Sequence, residues 1–215
     1  MSTTQKPRRL RADAARNRQA LIDAAQRLFA TRGLSVTLDD IAAEAGVNVA
    51  TAYRHFANKH ELASAFLRQK IEQALTITEQ AAAAEDPWQG LTDFLTRMLE
   101  LLVANRDLHD VFSPGFADEW LERLDERIEP VIRGLIERGQ QAGKVRNDIE
   151  PGDLGVVLQM LATVSDIPTD DQPTLRKRYL ELMLAGLRPS ATPLPGTAPT
   201  PAQAREPISP PRRRT

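Results

Sequence analysis

Apolar residues recur along this chain every three or four positions, which is the spacing of amphipathic helices. No alternation of the kind that strands show continues beyond a few residues. Gly33 lies where the first helix would end, because a helix C-cap favours a residue that adopts the left-handed conformation. The pattern therefore predicts an all-α protein. The first predicted helix carries the apolar stripe Leu21, Ile22, Ala25, Leu28 and Phe29. Another begins at Pro87 and carries the stripe Trp88, Leu91, Leu95, Met98 and Leu102. The other predicted helices span 38–45, 49–56, 59–83, 117–142, 151–164 and 173–187.

Three segments depart from a regular helical pattern. Residues 105–116 contain Pro114 and Gly115, so we expect a short or irregular element there. Pro130 lies inside the next predicted helix, which we expect to be kinked or split. The segment 189–215 holds 8 of the 15 prolines and almost no bulky apolar residue, which predicts a disordered tail.

The net charge of −1 conceals an uneven distribution of charge along the chain. Residues 1–62 hold 10 Lys and Arg against 6 Asp and Glu, whereas residues 63–188 hold 14 against 22. A basic head on an acidic body is typical of a protein whose head meets a polyanion, although a solvated surface produces the same segregation by chance. The three arginines at 212–214 either contact DNA non-specifically or are simply solvated.

The chain has no cysteine, which excludes disulfides, thiolate zinc sites and a cysteine nucleophile. The basic N-terminal residues precede no apolar core of signal-peptide length, and no apolar run reaches the roughly 18 residues of a membrane span. We expect a soluble cytoplasmic protein with no membrane partner. Residues 1–12 are expected to form a flexible basic arm that enters a minor groove, neutralises phosphates or stays disordered.

The segment 37–62 combines two short predicted helices with a tight turn between them. Thr37 is predicted to cap the first, with Asp40 in the capping-box position. Asn48 is predicted to cap the second and to leave its N-terminal amides near a phosphate. Gly46 supplies the turn, because glycine adopts a positive φ at little cost. This is the geometry of a helix-turn-helix that reads DNA, and an ordinary helical hairpin is the alternative.

The outward face of residues 49–56 favours a helix that reads DNA. No acidic residue lies between Asn48 and His60. Small side chains let a helix enter the major groove, while Thr, Tyr, Arg and His side chains bond to backbone oxygens. The predicted inward set is Val47, Ala52 and Phe56, and the outward set is Val49, Ala50, Thr51, Tyr53, Arg54 and His55.

In these residues the chain resembles the N-terminal domain of the TetR family of transcriptional regulators. The likeness covers about residues 16–65 and includes the stretch from Ala24 to Phe29. It implies a three-helix helix-turn-helix DNA-binding domain at 13–60, followed by a helical ligand-binding and dimerisation domain at 61–188. The matching positions are Thr37, Ile41, Ala42, Ala45, Gly46, Val47, Asn48, Thr51, Tyr53, His55, Phe56, Lys59 and Leu62.

The resemblance also implies roles for single residues. Asn48 stands where serine is commoner and caps equally well, and Ala52 replaces a commoner leucine, so the packing beneath the helix is expected to be looser. Asp39 stands where some members place a basic residue that contacts a base, and that contact is expected to be absent. The implied DNA-binding set is Val49, Ala50 and Tyr53 at base edges, Thr37, Thr51, Arg54, His55 and Lys59 at phosphates, and Asn48 at the helix N-terminus.

A homodimer reading an inverted repeat in double-stranded DNA is also implied, because one recognition helix reads only a few base pairs. Helices 151–164 and 173–187 would form its interface or would pack onto their own core. A small-molecule effector would bind among the long helix and the helices of 87–142, and would favour the form that does not bind DNA. Repression is the commoner mode and activation the alternative. The candidate pocket residues, each of which is also consistent with plain core, are Met98, Leu102, Phe112, Phe116, Trp120 and Leu124.

Two other classes of protein were weighed. An enzyme is disfavoured because the chain has only 3 histidines, of which His55 and His60 lie in the predicted head, and no glycine-rich phosphate loop. His109 lies between Asp107 and Asp110, but we expect a solvated loop there, with no metal and no cofactor. The second class is a helical adaptor that kept the motif and lost its affinity for DNA, and such a protein would not shift DNA in a gel.

Overall fold

The computed structural model describes residues 5–105, 118–200 and 203–204, and within these ranges the chain forms eight α-helices and no strand. The predicted all-α class is thereby confirmed. One-turn 3-10 helices lie at Gly33–Ser35 and Val164–Asp166. No helix in these ranges has the length and apolar character needed to cross a membrane. The helices are α1 Gln5–Arg32, α2 Leu38–Glu44, α3 Val49–His55, α4 Lys59–Ala82, α5 Pro87–Ala104, α6 Asp118–Gln141, α7 Pro151–Thr163 and α8 Gln172–Gly186.

The chain divides into two units, and the division falls within α4. Sequence analysis predicts a boundary at residue 60, but the structure assigns the first part of α4 to the N-terminal unit. The reason is burial, since Leu62 and Phe66 of α4 belong to the apolar cluster of that unit. The N-terminal unit comprises Met1–Ile71 and Asn105–Asp118, and the C-terminal unit comprises Glu72–Ala104 and Glu119–Thr215.

One face of each of the first four helices builds the core of the N-terminal unit. Phe29 of α1, Ile41 of α2 and Phe66 of α4 are at most 2% exposed. The small residues Ala42 and Ala52 are fully buried between them, which lets short helices approach closely. This core fixes the position of α3, whose only buried residue is Ala52.

The first helix begins earlier than the sequence indicates. Residues 5–12 were expected to belong to a flexible arm, whereas the backbone is helical from Gln5. Pro7 lies in the first turn, where a helix tolerates proline because the N–H groups there have no partner within the helix. The rest of the segment is Gln, Lys, Arg, Leu and Ala, all good helix formers, so helix propensity prevails over the basic character that predicted an arm.

The C-terminal unit has its own apolar core, built from α5 to α8 and the second part of α4. Leu91, Leu95, Leu135, Leu154 and Leu161 are at most 1% exposed. Together with the aliphatic residues around them they form one continuous cluster. Each of these helices therefore buries a stripe of the kind that the 3.6-residue period predicts.

Helix α6, predicted to be kinked or split at Pro130, is continuous through that residue and is therefore not split. Proline leaves the carbonyl four residues earlier without its helical partner. That residue is Glu126, which is exposed, as is Pro130 itself. Water can therefore solvate the unpaired carbonyl, and the helix persists.

The turn between α4 and α5 is held from the end of α6. The Arg138 guanidinium donates to the carbonyl oxygens of Ala82 and Ala84, each at 2.6 Å. Lys144 adds an ion pair of 2.9 Å with Asp86. These contacts satisfy carbonyls at the C-terminal end of α4 that have no partner within the helix.

The segment after α8 differs from the sequence expectation. Residues 189–200 belong to the tail predicted to be disordered, yet the structure places them against the C-terminal unit. The Arg146 guanidinium donates to the Thr192 carbonyl at 2.9 Å, and the Leu194 N–H donates to Asp148 at 2.7 Å. The segment lacks bulky apolar residues, which predicted disorder. Hydrogen bonds from its main chain to the side chains of Arg146 and Asp148 hold it in place instead. Residues 201–202 and 205–215, which include the three terminal arginines, lie outside the described residues.

Candidate nucleic-acid interface

Helix α2 begins with the predicted capping box. The Thr37 hydroxyl accepts from the Asp40 N–H at 3.1 Å, and the Asp40 carboxylate accepts from the Thr37 N–H at 2.9 Å. The hydrogen bonds that the Asp40 carboxylate accepts from the Thr37 N–H and from the Thr37 hydroxyl hold the pKa of Asp40 below its ordinary value, and Arg32 at 3.6 Å acts in the same direction. The prediction is confirmed, and the first turn of α2 is fixed by local chemistry.

The turn between α2 and α3 has the predicted geometry. Gly46 has a φ of +65°, a region that residues with a Cβ rarely adopt. The Val47 N–H donates to the Ala42 carbonyl at 2.9 Å, and the Val47 side chain packs against the apolar cluster. The chain therefore reverses within a few residues and sets α3 against α2.

Helix α3 is capped at one end and anchored at the other. The Asn48 side chain accepts from the Ala50 N–H at 2.9 Å, which confirms the predicted cap. Ala52 is 0% and Phe56 2% exposed, so both face inward as predicted. The Arg18 guanidinium lies 5.0 Å from the centre of the Phe56 ring and ties α1 to this end of α3.

The other face of α3 is open. Val49 is 41% and Tyr53 51% exposed, which is unusual for side chains of their size. Ala50 is exposed beside them. Three of the residues assigned to base edges therefore lie on one accessible face of a seven-residue helix.

The residues assigned to phosphates surround this face. Arg54 is exposed and donates to the Thr51 hydroxyl at 2.6 Å. His55 and Lys59 are half-buried, and Thr37 is exposed at the start of α2. Lys59 begins α4, whose first turn is held by the Asn58 side chain accepting from the Glu61 N–H at 3.0 Å.

An acidic residue reaches the open face from the neighbouring helix. Hydrogen bonding to the Asp39 carboxylate, together with the negative charge of Asp39, raises the pKa of the Tyr53 hydroxyl. Asp39 lies outside residues 48–60, the stretch without acidic residues, so this neighbour of Tyr53 was not predicted. It stands at the position where some members of the TetR family place a basic residue.

The candidate effector residues lie apart from this face in the chain. Met98 is 7% exposed and belongs to the core of the C-terminal unit, and Leu124 is half-buried against the same cluster. Leu102 is 39% exposed. Phe112 and Phe116, with the loop around His109, lie outside the described residues, as does the side chain of Trp120. In the described part of the chain no three His, Asp or Glu side chains are placed to hold a metal ion.

Two short helices, a glycine turn and an outward second helix define a helix-turn-helix DNA-binding protein. Comparison with known proteins specifies the class further. Residues 21–66 match the family described as bacterial regulatory proteins, tetR family, and residues 86–189 match the SbtR-like transcriptional regulator C-terminal domain. The chain belongs to the TetR family. It is a DNA-binding regulator of transcription and not an enzyme.

Individual relatives agree with this assignment. The probable acrEF/envCD operon repressor of Escherichia coli strain K12 is 38% identical over 70% of this chain and 73% of its own length. The regulator TtgR of Pseudomonas putida is 46% identical over 64% of this chain and 74% of its own. The crystal structure of the TetR regulator SCO0520 from Streptomyces coelicolor is 28% identical and superimposes with a TM-score of 0.61, covering 81% of this chain and 99% of that one.

Proposed function

We propose that this protein is a repressor that binds an inverted-repeat operator as a homodimer and leaves it when a small molecule binds. The observation that carries the proposal is the open face of α3, on which Val49 and Tyr53 are exposed while Ala52 and Phe56 are buried beneath them. A helix presented in this way can enter a major groove without any rearrangement of its own core. Because the operator lies on the chromosome, the protein acts in the cytoplasm.

The open face has two kinds of residue with two roles in this proposal. Val49, Ala50 and Tyr53 contact base edges and carry sequence preference. The phosphate set positions the helix and supplies affinity that depends on salt. Asp39, which lies beside Tyr53, repels phosphate oxygens. The phosphate set is Thr37, Thr51, Arg54, His55 and Lys59, with the N-terminal amides of α3 beside Asn48.

Dimer formation is supported by apolar residues on the outside of the last two helices. Leu180 and Leu184 of α8 are buried in the core of their own unit, whereas Leu182 on the opposite side is 60% exposed. Met160 of α7 is 37% exposed. A second copy of the chain would cover these exposed apolar side chains and would supply the two-fold symmetry that an inverted repeat requires.

The effector is proposed to bind beside α5 and α6, near Met98, Leu102 and Leu124, with Phe112, Phe116 and Trp120 as further wall residues. Release requires that the ligand bind the form incompetent for DNA more tightly than the other form. Helix α4 is one continuous helix that contributes residues to both units, so a displacement of one of its ends can be passed along it. Repression, rather than activation, is proposed because the Escherichia coli relative is a probable operon repressor.

The proposal is tested by selecting bound fragments from random DNA and measuring affinity for the recovered sequence. We expect an inverted repeat, nanomolar affinity and a steep dependence on salt. Sedimentation of the complex should give two chains for each repeat. A recovered set without two-fold symmetry, or affinity that does not change with salt, would contradict the proposal.

A further inference from the structure

The described residues 192–200 and 203–204, here called the strap, contact α7 through Pro199 and Ala204. Gly152, Gly155 and Gln159 share one face of that helix, because they are three and four residues apart. A Cβ at Gly152 would overlap the carbonyl oxygen of Pro199, and one at Gly155 would lie 2.9 Å from the Cβ of Ala204. The two glycines therefore leave the space that the strap occupies.

Specific contacts hold the far end of the strap. Gln159 donates to the Ala204 carbonyl at 2.5 Å, and the Ala204 side chain is only 5% exposed. The strap shapes this end by its own hydrogen bonds, since the Thr200 N–H donates to the Gln203 side chain at 2.9 Å and the Gln203 N–H donates to the Thr200 hydroxyl at 3.2 Å. The Ala204 N–H donates to the Thr200 carbonyl at 2.9 Å.

The start of the strap contacts a partly buried ion pair. The Arg146 side chain is 10% exposed and contacts Asp148 at 2.5 Å. Arg146 donates to the Thr192 carbonyl, and Asp148 accepts from the Leu194 N–H. Arg146 also binds the end of α8, through its N–H to the Leu187 carbonyl at 3.1 Å and its guanidinium to the Gly186 carbonyl at 3.3 Å.

We propose that the strap fixes α7 to α8 and thereby prepares the surface on which a second copy of the chain docks. The Arg146–Asp148 ion pair binds both the end of α8 and the start of the strap. The space beside Gly152 and Gly155 of α7 holds the end of the strap. This leaves Met160 and Leu182, the exposed apolar residues of the two helices, in a fixed arrangement before the partner arrives. Preorganisation of this kind raises affinity because less freedom is lost on binding. The inference rests on the proposed dimer.

The test compares two ways of removing the strap with one matched control. In one variant the chain ends at residue 190, and in the other Gly152→Ala fills the groove while the whole tail is kept. Gly134→Ala is the control, because a Cβ at this helical glycine would meet nothing within 4 Å. The dimer dissociation constant is measured by sedimentation equilibrium, and amide hydrogen exchange in α7 shows whether that helix has become looser.

We expect the shortened chain and Gly152→Ala to weaken the dimer by about tenfold or more and to exchange faster in α7, while Gly134→Ala matches the parent protein. Gly152→Ala keeps the test valid if the shortened chain does not fold. A dimer of unchanged affinity in both altered proteins would overturn the inference alone. A parent protein that stays monomeric at micromolar concentration would instead contradict the proposed function.

Discussion

At the scale of single residues, Tyr53 is an exposed aromatic side chain on a helix whose opposite face is buried. It is half-exposed although the residue before it is fully buried, and its hydroxyl lies near the Asp39 carboxylate of the neighbouring helix. The exposure follows from the sequence, because position 53 lies on the side of the helix away from Ala52 and Phe56. The proximity of Asp39 does not follow, because it depends on how α2 packs against α3. Sequence alone thus predicts the face and misses its acidic neighbour.

Replacing Tyr53 with Ala should weaken binding to the selected operator by about 1–3 kcal/mol and relax the preference at one position of each half-site. The ring then no longer contacts a base edge. Fluorescence anisotropy with labelled operator variants measures both effects. Tyr53→Phe is the matched control and should retain most of the affinity while losing what the hydroxyl contributes. Equal binding by Tyr53→Ala and the parent protein would remove Tyr53 from the interface.

Lys59 is assigned to phosphate, so its loss should act on all DNA sequences alike. Lys59→Ala is expected to reduce the slope of log affinity against log salt by about 1, because one fewer counterion is released. Titrations at several salt concentrations measure the slope. Lys177→Ala, at an exposed lysine of α8, should leave the slope unchanged. A slope that falls equally in both variants would mean that net charge, and not a contact, is responsible.

At the scale of elements, the parts that sequence predicts well are those fixed by neighbours in the chain. The caps of α2 and α3, the turn at Gly46 and the buried stripes all depend on residues within four positions of each other. The early start of α1 was not predicted, because the basic residues there indicated a flexible arm. For α6 the alternatives were a kink or a split, and only the split is excluded, since the helix continues through the exposed Pro130. In both helices the outcome depends on the position of the proline, in a first turn or at an exposed site.

Removing the cap of α2 should destabilise the protein independently of DNA. Thr37→Ala removes the hydroxyl that accepts from the Asp40 N–H, and a lost N-cap costs about 1 kcal/mol of unfolding free energy. Urea denaturation without DNA measures the change. Thr76→Ala is the control, since this exposed threonine lies within α4 and only bonds back to the Glu72 carbonyl. A Thr37→Ala protein as stable as the Thr76→Ala protein would contradict the role of the cap.

The strap should make stability sensitive to acid through Asp148. Arg146 and the Leu194 N–H hold the pKa of this carboxyl well below its usual range in the folded protein. Its contribution is therefore complete above the ordinary pKa of about 4 and is lost as the pH falls below that value. Asp148→Asn should lower the melting temperature at neutral pH, and the difference from the parent protein should narrow below pH ~4. The control Asp170→Asn, at an exposed aspartate, should show no such difference at neutral pH.

At the scale of the whole molecule, sequence predicts a DNA-binding head and a helical body, and the family assignment confirms both. The division within α4 and the docked tail could not be predicted. Each depends on contacts between residues far apart in the chain, Phe66 with the head core and Pro199 with Gly152. Low apolar content predicts disorder for an isolated segment. The prediction is wrong where hydrogen bonds to the main chain of the segment and a groove formed by glycines hold that segment against the rest of the protein.

The central claim, that the outer face of α3 meets DNA, is tested most directly by thiol protection. The chain has no cysteine, so Ala50→Cys introduces a single thiol on that face, and Ala83→Cys introduces one at an exposed position after α4. Saturating operator DNA should slow alkylation of the thiol at position 50 by about tenfold or more and leave the thiol at position 83 unaffected. If the bound protein is alkylated at position 50 as fast as the free protein, the outer face of α3 is not the surface that meets DNA.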